Sequence, residues 1–202
     1  MKSALSPESI LSFWFGAAMD NLTVAHQQSK LWWSKSDELD GQIRERFEPL
    51  LLAMAKGETD CFPGTARGRL AQIVLFDQFP RNMYRGTPAA FATDPIAQKL
   101  ALSAQNDGDE VQLRLIERVF LYLPLVHAED RTLQALAVER FEALSAEANE
   151  DESSLFQGYL EFAIRHRDII KRFGRFPHRN AILGRQSTPE EIEFLKQPGS
   201  SF

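Results

Sequence analysis

The chain has 202 residues, 44% of them apolar and 25% charged, with a formal net charge of -5 and a pI near 5.5. That composition fits one sizeable globular core or two small ones, and the negative balance argues against general nucleic-acid binding, which needs a cationic footprint. Cys61 is the single cysteine, so neither an intrachain disulfide nor a cysteine-based zinc site can form, and a reducing, cytoplasmic setting is expected.

Almost every periodic segment has helical spacing, and no strand is evident. Ser6 as N-cap, Pro7 at the first position and Gly16 at the stop predict a helix over 7–15. Its apolar run behind Lys2 is not read as a secretory segment, because Ser6-Pro7-Glu8 puts a cap and an acid where a basic flank belongs. The stretch that follows, holding Trp32-Trp33, reads as irregular. A second helix over 37–56 carries Leu39, Ile43, Phe47, Leu51 and Met54 on one face, with a kink or break expected at Pro49. In a third, over 66–78, Leu70, Ile73, Val74 and Asp77 share a face, so an apolar stripe ends in a carboxylate, and Pro80 is expected to stop it.

A fourth helix over 94–106 opens at Asp94-Pro95. A fifth covers 109–123 and is ended by Pro124, a sixth 129–148, and a seventh 154–173, stopped by Gly174. A short eighth over 189–196 opens on a capping box of Thr188 and Glu191. No apolar run is long enough to span a bilayer. Seven or eight helices joined mostly by short turns predict one all-α domain, residues 1–202, of stacked antiparallel helical hairpins.

Two Arg/Asn segments stand out. Phe79-Pro80-Arg81-Asn82, with Arg85 beyond it, is echoed by Phe176-Pro177-His178-Arg179-Asn180, with Arg185 beyond it. Each follows an apolar helix and leads to a Thr-Pro. Arginine offers a planar fork of donors matched to carboxylate or phosphate and never loses its charge. If the two segments converge, they make an anion clamp; the alternative is that they cap the carbonyls at helix ends. Asp77, on an apolar stripe, needs a partner such as one of these arginines, and Gln78 stands beside it. Such a buried pair is more often a structural lock than a catalytic acid.

Two histidines, His127 and His166, are the acid/base candidates. His127, in Leu123-Pro124-Leu125-Val126-His127-Ala128-Glu129-Asp130, is a possible general base oriented by Glu129. His166 lies on the inner face of the seventh helix, where a satisfied core histidine is the plainer reading. Arg167, Arg175 and His178 surround it in sequence. No ligand pair has the i,i+4 spacing of a helical metal site, so no metal and no cofactor is assigned. Phosphate-cradling, nucleophile-elbow and dinucleotide motifs are absent from the sequence.

Charge is segregated. Residues 129–152 hold eight acids against Arg131 and Arg140, and residues 165–185 hold seven bases against Asp168. The two blocks are candidates to pair with each other, and Asp168 with Arg172 at i+4.

The segments FDQFPRNMYRGTPAAFATDP (76–95), LPLVHAED (123–130) and HRDIIKRFGRFPHRNAILGRQSTPEE (166–191), with the FWFG opening, the WWSKSDELD segment and the PGSSF ending, resemble an uncharacterised bacterial family catalogued as domain of unknown function 924. The resemblance covers nearly the whole chain. It implies a tetratricopeptide-like right-handed superhelix and supplies no activity. Where that family's second motif commonly has His-Ser-Glu, this chain has Ala128.

The functional expectation is a polar pocket in which Arg81, Arg179 and Asn180 clamp an anionic small molecule. His127 and His166 would move protons, oriented by Asp77 and Glu129. A peptide-binding adaptor that captures a chain-terminal carboxylate is the alternative, and an internal salt-bridge network is a third reading. Neither nucleic acid nor membrane is an expected partner.

Overall fold

Side-chain caps start most of the helices. In the computed structural model, which describes residues 6–59, 62 and 64–201, Ser6 accepts the Ser9 N–H at the head of α1 (Pro7–Phe15). Asp20 opens α2 (Asn21–Trp33) in the same way, Ser36 opens α3 (Asp37–Ala55), and Thr65 opens α4 (Ala66–Ile73). Each cap satisfies one of the N–H groups that the first turn leaves without a partner. Lys2, Cys61 and Phe202, which enter the sequence reading, lie outside the described residues.

A π turn (Val74–Gln78) joins α4 to α5 (Phe79–Met83). After a 3-10 turn (Pro88–Phe91) come α6 (Asp94–Asn106), a second 3-10 turn (Asp109–Gln112), and α7 (Leu115–Val126). Then follow α8 (Arg131–Glu147), α9 (Ser153–Phe173), a third 3-10 turn (Pro177–Arg179) and α10 (Pro189–Leu195). Among the described residues the fold is all-α, with no strand, and no helix is long and apolar enough to cross a membrane.

Helix α8 lies against both α7 and α9, α6 against α4 and α7, α1 against α4, and α3 against α5. The aromatic clusters fill the core between them. Trp14 meets Phe79 and Phe120 edge-on, both at 5.6 Å, and Phe47 stacks on Phe79 at 4.5 Å. Each such ring, fully buried, contributes about 1.5–3 kcal/mol. Trp33 departs from this pattern, being 49% exposed. A smaller apolar cluster of Ile169, Ile170 and Phe176 sits at the α9 end of the molecule, with Phe173 and Phe194 packed on it.

Four expectations are corrected. The stretch with Trp32-Trp33 is helical, because Asp20 caps it and Val24, Leu31 and Trp32 turn inward; Gln28 breaks that stripe in the sequence. Gly16 (φ +70°) makes room there, since a Cβ would meet the Gln28 amide nitrogen at 2.4 Å. Of the kink or break expected at Pro49, the break is absent, since α3 runs on through it, and Pro124 lies inside α7 rather than ending it. Pro80 does not stop its helix either. The π turn absorbs it: the Phe79 N–H reaches back five residues to the Val74 carbonyl. Proline has no N–H to offer the Phe76 carbonyl four residues back, and that carbonyl accepts the Thr93 hydroxyl at 2.6 Å instead. The Thr93 bond thereby pins the start of α6 against the π turn.

Candidate functional site

The π turn presents Asp77, which is fully buried. Its carboxylate accepts from His127 Nδ1 at 2.8 and 3.0 Å and from the Gln78 amide, and Arg81 Nη1 lies 3.3 Å from Oδ1. Arg81 also donates to the Asp77 backbone carbonyl at 2.6 Å. Its two terminal nitrogens grip Asp94, the first residue of α6, at 2.8 and 3.1 Å. Because Thr93 is anchored on the π turn, Asp94 arrives in register with Arg81. His127 caps the C-terminal end of α7. With Nδ1–H donated to Asp77, its Nε2 carries the lone pair.

From the other half of the chain comes Arg179, in the 3-10 turn after α9, at 6% exposure. The rings of Phe91 and Phe176 lie against its guanidinium at 4.7 and 4.5 Å. Its nearest carboxylate oxygen, Asp94 Oδ2, is 3.6 Å from Nη1, and its Nε is buried without a hydrogen-bond partner. His166 lies 6.5 Å from His127, ring to ring, and Nδ1 meets the Phe162 carbonyl at 2.8 Å. His178 packs on Phe176 at 5.6 Å.

The electrostatics follow from burial. Desolvation alone would raise the Asp77 carboxyl, but Arg81, His127 and Gln78 outweigh it and hold it at about 2. Desolvation, then Arg81, keeps His127 below the ordinary imidazole range, with Asp77 only partly offsetting them. Burial pushes His166 down to about 2, and burial with Arg179 pushes His178 to about 4. Burial and the neighbouring Arg81 bring Arg179 down to about 10. The cluster therefore holds two guanidinium groups, two carboxylates and three neutral imidazoles.

The remaining residues of the sequence reading lie outside this cluster. Glu129 does not orient His127. It pairs through both oxygens with Arg185 and accepts the Phe176 N–H at 2.8 Å. Arg185 donates on to Asn180, and Asn180 to Ser187 and Glu191. Arg175 grips Glu191 at 2.7 and 2.8 Å, and that carboxyl is pulled down to about 2, chiefly by this bond. Asn180 and Arg185 thus brace the turn carrying Arg179 rather than reach the anion clamp. Asn82 and Arg85 both bond Asp40 of α3, at 3.0 and 2.8 Å. Arg167 pairs with its neighbour Asp168 on the surface, and Arg172 with Glu190 of α10. The acidic and basic blocks consequently meet side chain to side chain through Glu129–Arg185, while much of the basic block pairs with α10.

Two surface depressions, of about 360 and 340 Å³, exclude Arg81, His127 and Arg179. One lies between the paired Arg172, Arg175, Glu190 and Glu191, and the other is walled by apolar groups of α3 and α6 with Tyr84. Neither offers unpaired charge, so the buried cluster is the stronger candidate. Sequence reasoning missed Asp94, Phe91 and Asp40. Asp94 stands in the Thr-Asp-Pro that opens α6, where the helix dipole already accounts for an acid.

Comparison with known proteins places the chain among uncharacterised relatives. Residues 10–199 match a family model described as a bacterial protein of unknown function, DUF924. The solved structure of a protein of unknown function from Agrobacterium tumefaciens, ATU0120, is similar at a TM-score of 0.78 and 37% identity, covering 94% of this chain and 96% of that one. No curated protein matches.

Proposed function

The chain belongs to the DUF924 family, and we propose that it binds an anionic small molecule at the Arg81–Asp94–Arg179 cluster, with His127 positioned to move a proton. The site stands on stacked hairpins of the tetratricopeptide-like type that the family resemblance implies, and its cytoplasmic setting belongs to the same reading. One observation carries it. Arg179 is buried against two aromatic rings, yet its Nε has no hydrogen-bond partner and its Nη1 comes no nearer than 3.6 Å to a carboxylate oxygen. Leaving such a donor unsatisfied costs about 1–3 kcal/mol, and a rigid fork held edge-on is suited to an oxyanion. Asp77 fixes the His127 tautomer, as carboxylates do for imidazole bases.

A thermal-shift series with anionic metabolites tests the reading, since a ligand that binds only the folded state raises Tm by mass action. Wild type should respond and Arg179→Gln should not. A response that survives Arg179→Gln, or no response to any anion, removes the assignment.

A further inference from the structure

The charge balance of the cluster restricts what kind of anion enters it. Arg81 and Arg179 carry two positive charges, and Asp77 and Asp94 two negative ones, within contact distance of one another. The groups facing His127 from the surrounding elements are Asp77 and Arg81 of the π turn and α5, Asp94 of α6, and His166 of α9, with Arg179 and His178 of the 3-10 turn beyond. Glu129, two residues along the chain, is already neutralised by Arg185. An anion docking on Arg179 therefore brings one uncompensated negative charge into a buried, balanced site, which is costly in a low dielectric.

We propose that the site takes a carboxylate together with one proton, and that the proton resides on His127. This rests on the anion-site reading above and names its ligand class. His127 is the group placed to receive the proton, because it lies on the Asp77 carboxylate and its Nε2 is open to protonation. Burial keeps His166 and His178 neutral down to about 2 and about 4, so a second proton has no acceptor and a dianion stays uncompensated. The geometry agrees. Arg179 packs against Phe91 and Phe176 and keeps a buried Nε without a hydrogen-bond partner, a donor of the planar fork that suits a carboxylate. Arrival of the ligand thereby converts His127 from a neutral base into an imidazolium acid beside it.

The test titrates the full chain with acetate, benzoate and inorganic phosphate by calorimetry in two buffers of different ionisation enthalpy, and follows the imidazoles by NMR. Acetate and benzoate should each take up about one proton on binding, and the His127 resonance, assigned through His127→Gln, should move to its protonated position. Affinity should fall about tenfold for each pH unit above the titration of His127. Dianionic phosphate at pH 8 should bind at least about tenfold more weakly, the equivalent of 1.4 kcal/mol. His127→Gln, which can still bond Asp77, should bind acetate more weakly and without proton uptake. Carboxylate binding with no proton uptake, or a preference for dianionic phosphate, overturns the inference and leaves the anion site standing. Failure of all three anions to bind overturns both.

Discussion

Arg81 and Arg179, from opposite halves of the chain, meet on the carboxylate of Asp94, the first as a two-point grip at 2.8 and 3.1 Å and the second at 3.6 Å. The two echoed Phe-Pro segments are therefore not independent loops. They close on one acid, and the repulsion between their guanidinium groups, which adds to burial in lowering the affinity of Arg179 for its proton, is held in check by that acid.

Removing it should be expensive. Asp94→Asn leaves two buried cations facing each other and should cost about 3 kcal/mol of stability, as breaking buried pairs does. Arg167→Ala, which removes only an exposed pair with Asp168, should stay within about 0.5 kcal/mol. Urea denaturation of both variants measures the contrast, and equal midpoints would refute the central place given to Asp94.

Stability should fall with acid well before the carboxylates titrate. His166 and His178 titrate at about 2 and about 4 when folded, against 6.5 unfolded. Their contribution is complete above pH 6.5 and is lost as pH falls through that window, because the unfolded chain binds more protons there. Asp77 adds its loss only between about 3.8 and about 2. His166→Asn should flatten the slope between pH 6 and 5 by about 1.4 kcal/mol per pH unit, read from denaturation curves at several pH values; an unchanged slope would show that His166 protonates freely.

Thr93 is the hinge pin between the π turn and α6. Thr93→Val strands the Phe76 carbonyl and should cost about 1–2 kcal/mol, while Thr93→Ser should recover most of it. The comparison separates the lost hydroxyl from altered packing, and a valine variant as stable as wild type would mean the bond contributes nothing.

The brace behind Arg179 can be loosened by one conservative change. Arg185→Lys keeps the charge and loses the two-point grip on Glu129. The Phe176 N–H, which donates to the same carboxylate, should then exchange with solvent at least about tenfold faster, a local loss of about 1.4 kcal/mol. Unaltered exchange at that amide would place the brace elsewhere.

Helix identity was legible wherever a cap and a periodic stripe coincided. Ser6 with Pro7, Asp94-Pro95 and Thr188 with Glu191 marked α1, α6 and α10 within a residue or so of their observed bounds. Legibility failed where a polar residue interrupted the apolar stripe, as Gln28 does in α2, at Pro124, which lies inside α7, and at Pro80, whose missing N–H is answered by the distant Thr93 hydroxyl. Long-range supply of a hydrogen bond leaves no local trace. Asp77, Arg81, His127, His166 and Arg179 drew attention because their chemistry is costly on apolar faces or repeated in a motif. Asp94 escaped because an acid at a helix start has a sufficient local explanation. Glu129 was misassigned because proximity in sequence to His127 does not survive the turn between α7 and α8.

The π turn also sets how the site can be lost. It holds one residue more than a regular helical turn would, and each residue rotates a helix by about 100°. Deleting a single residue from 74–76 would remove the extra residue, leave the gap that Pro80 makes in the ladder, and rotate Asp77 and Arg81 by about 100° relative to α4. A shortened chain of that kind would keep its helices, its caps and most of its core. It would be a sound protein with its charges pointing the wrong way, so the irregularity is a register device whose removal separates folding from recognition.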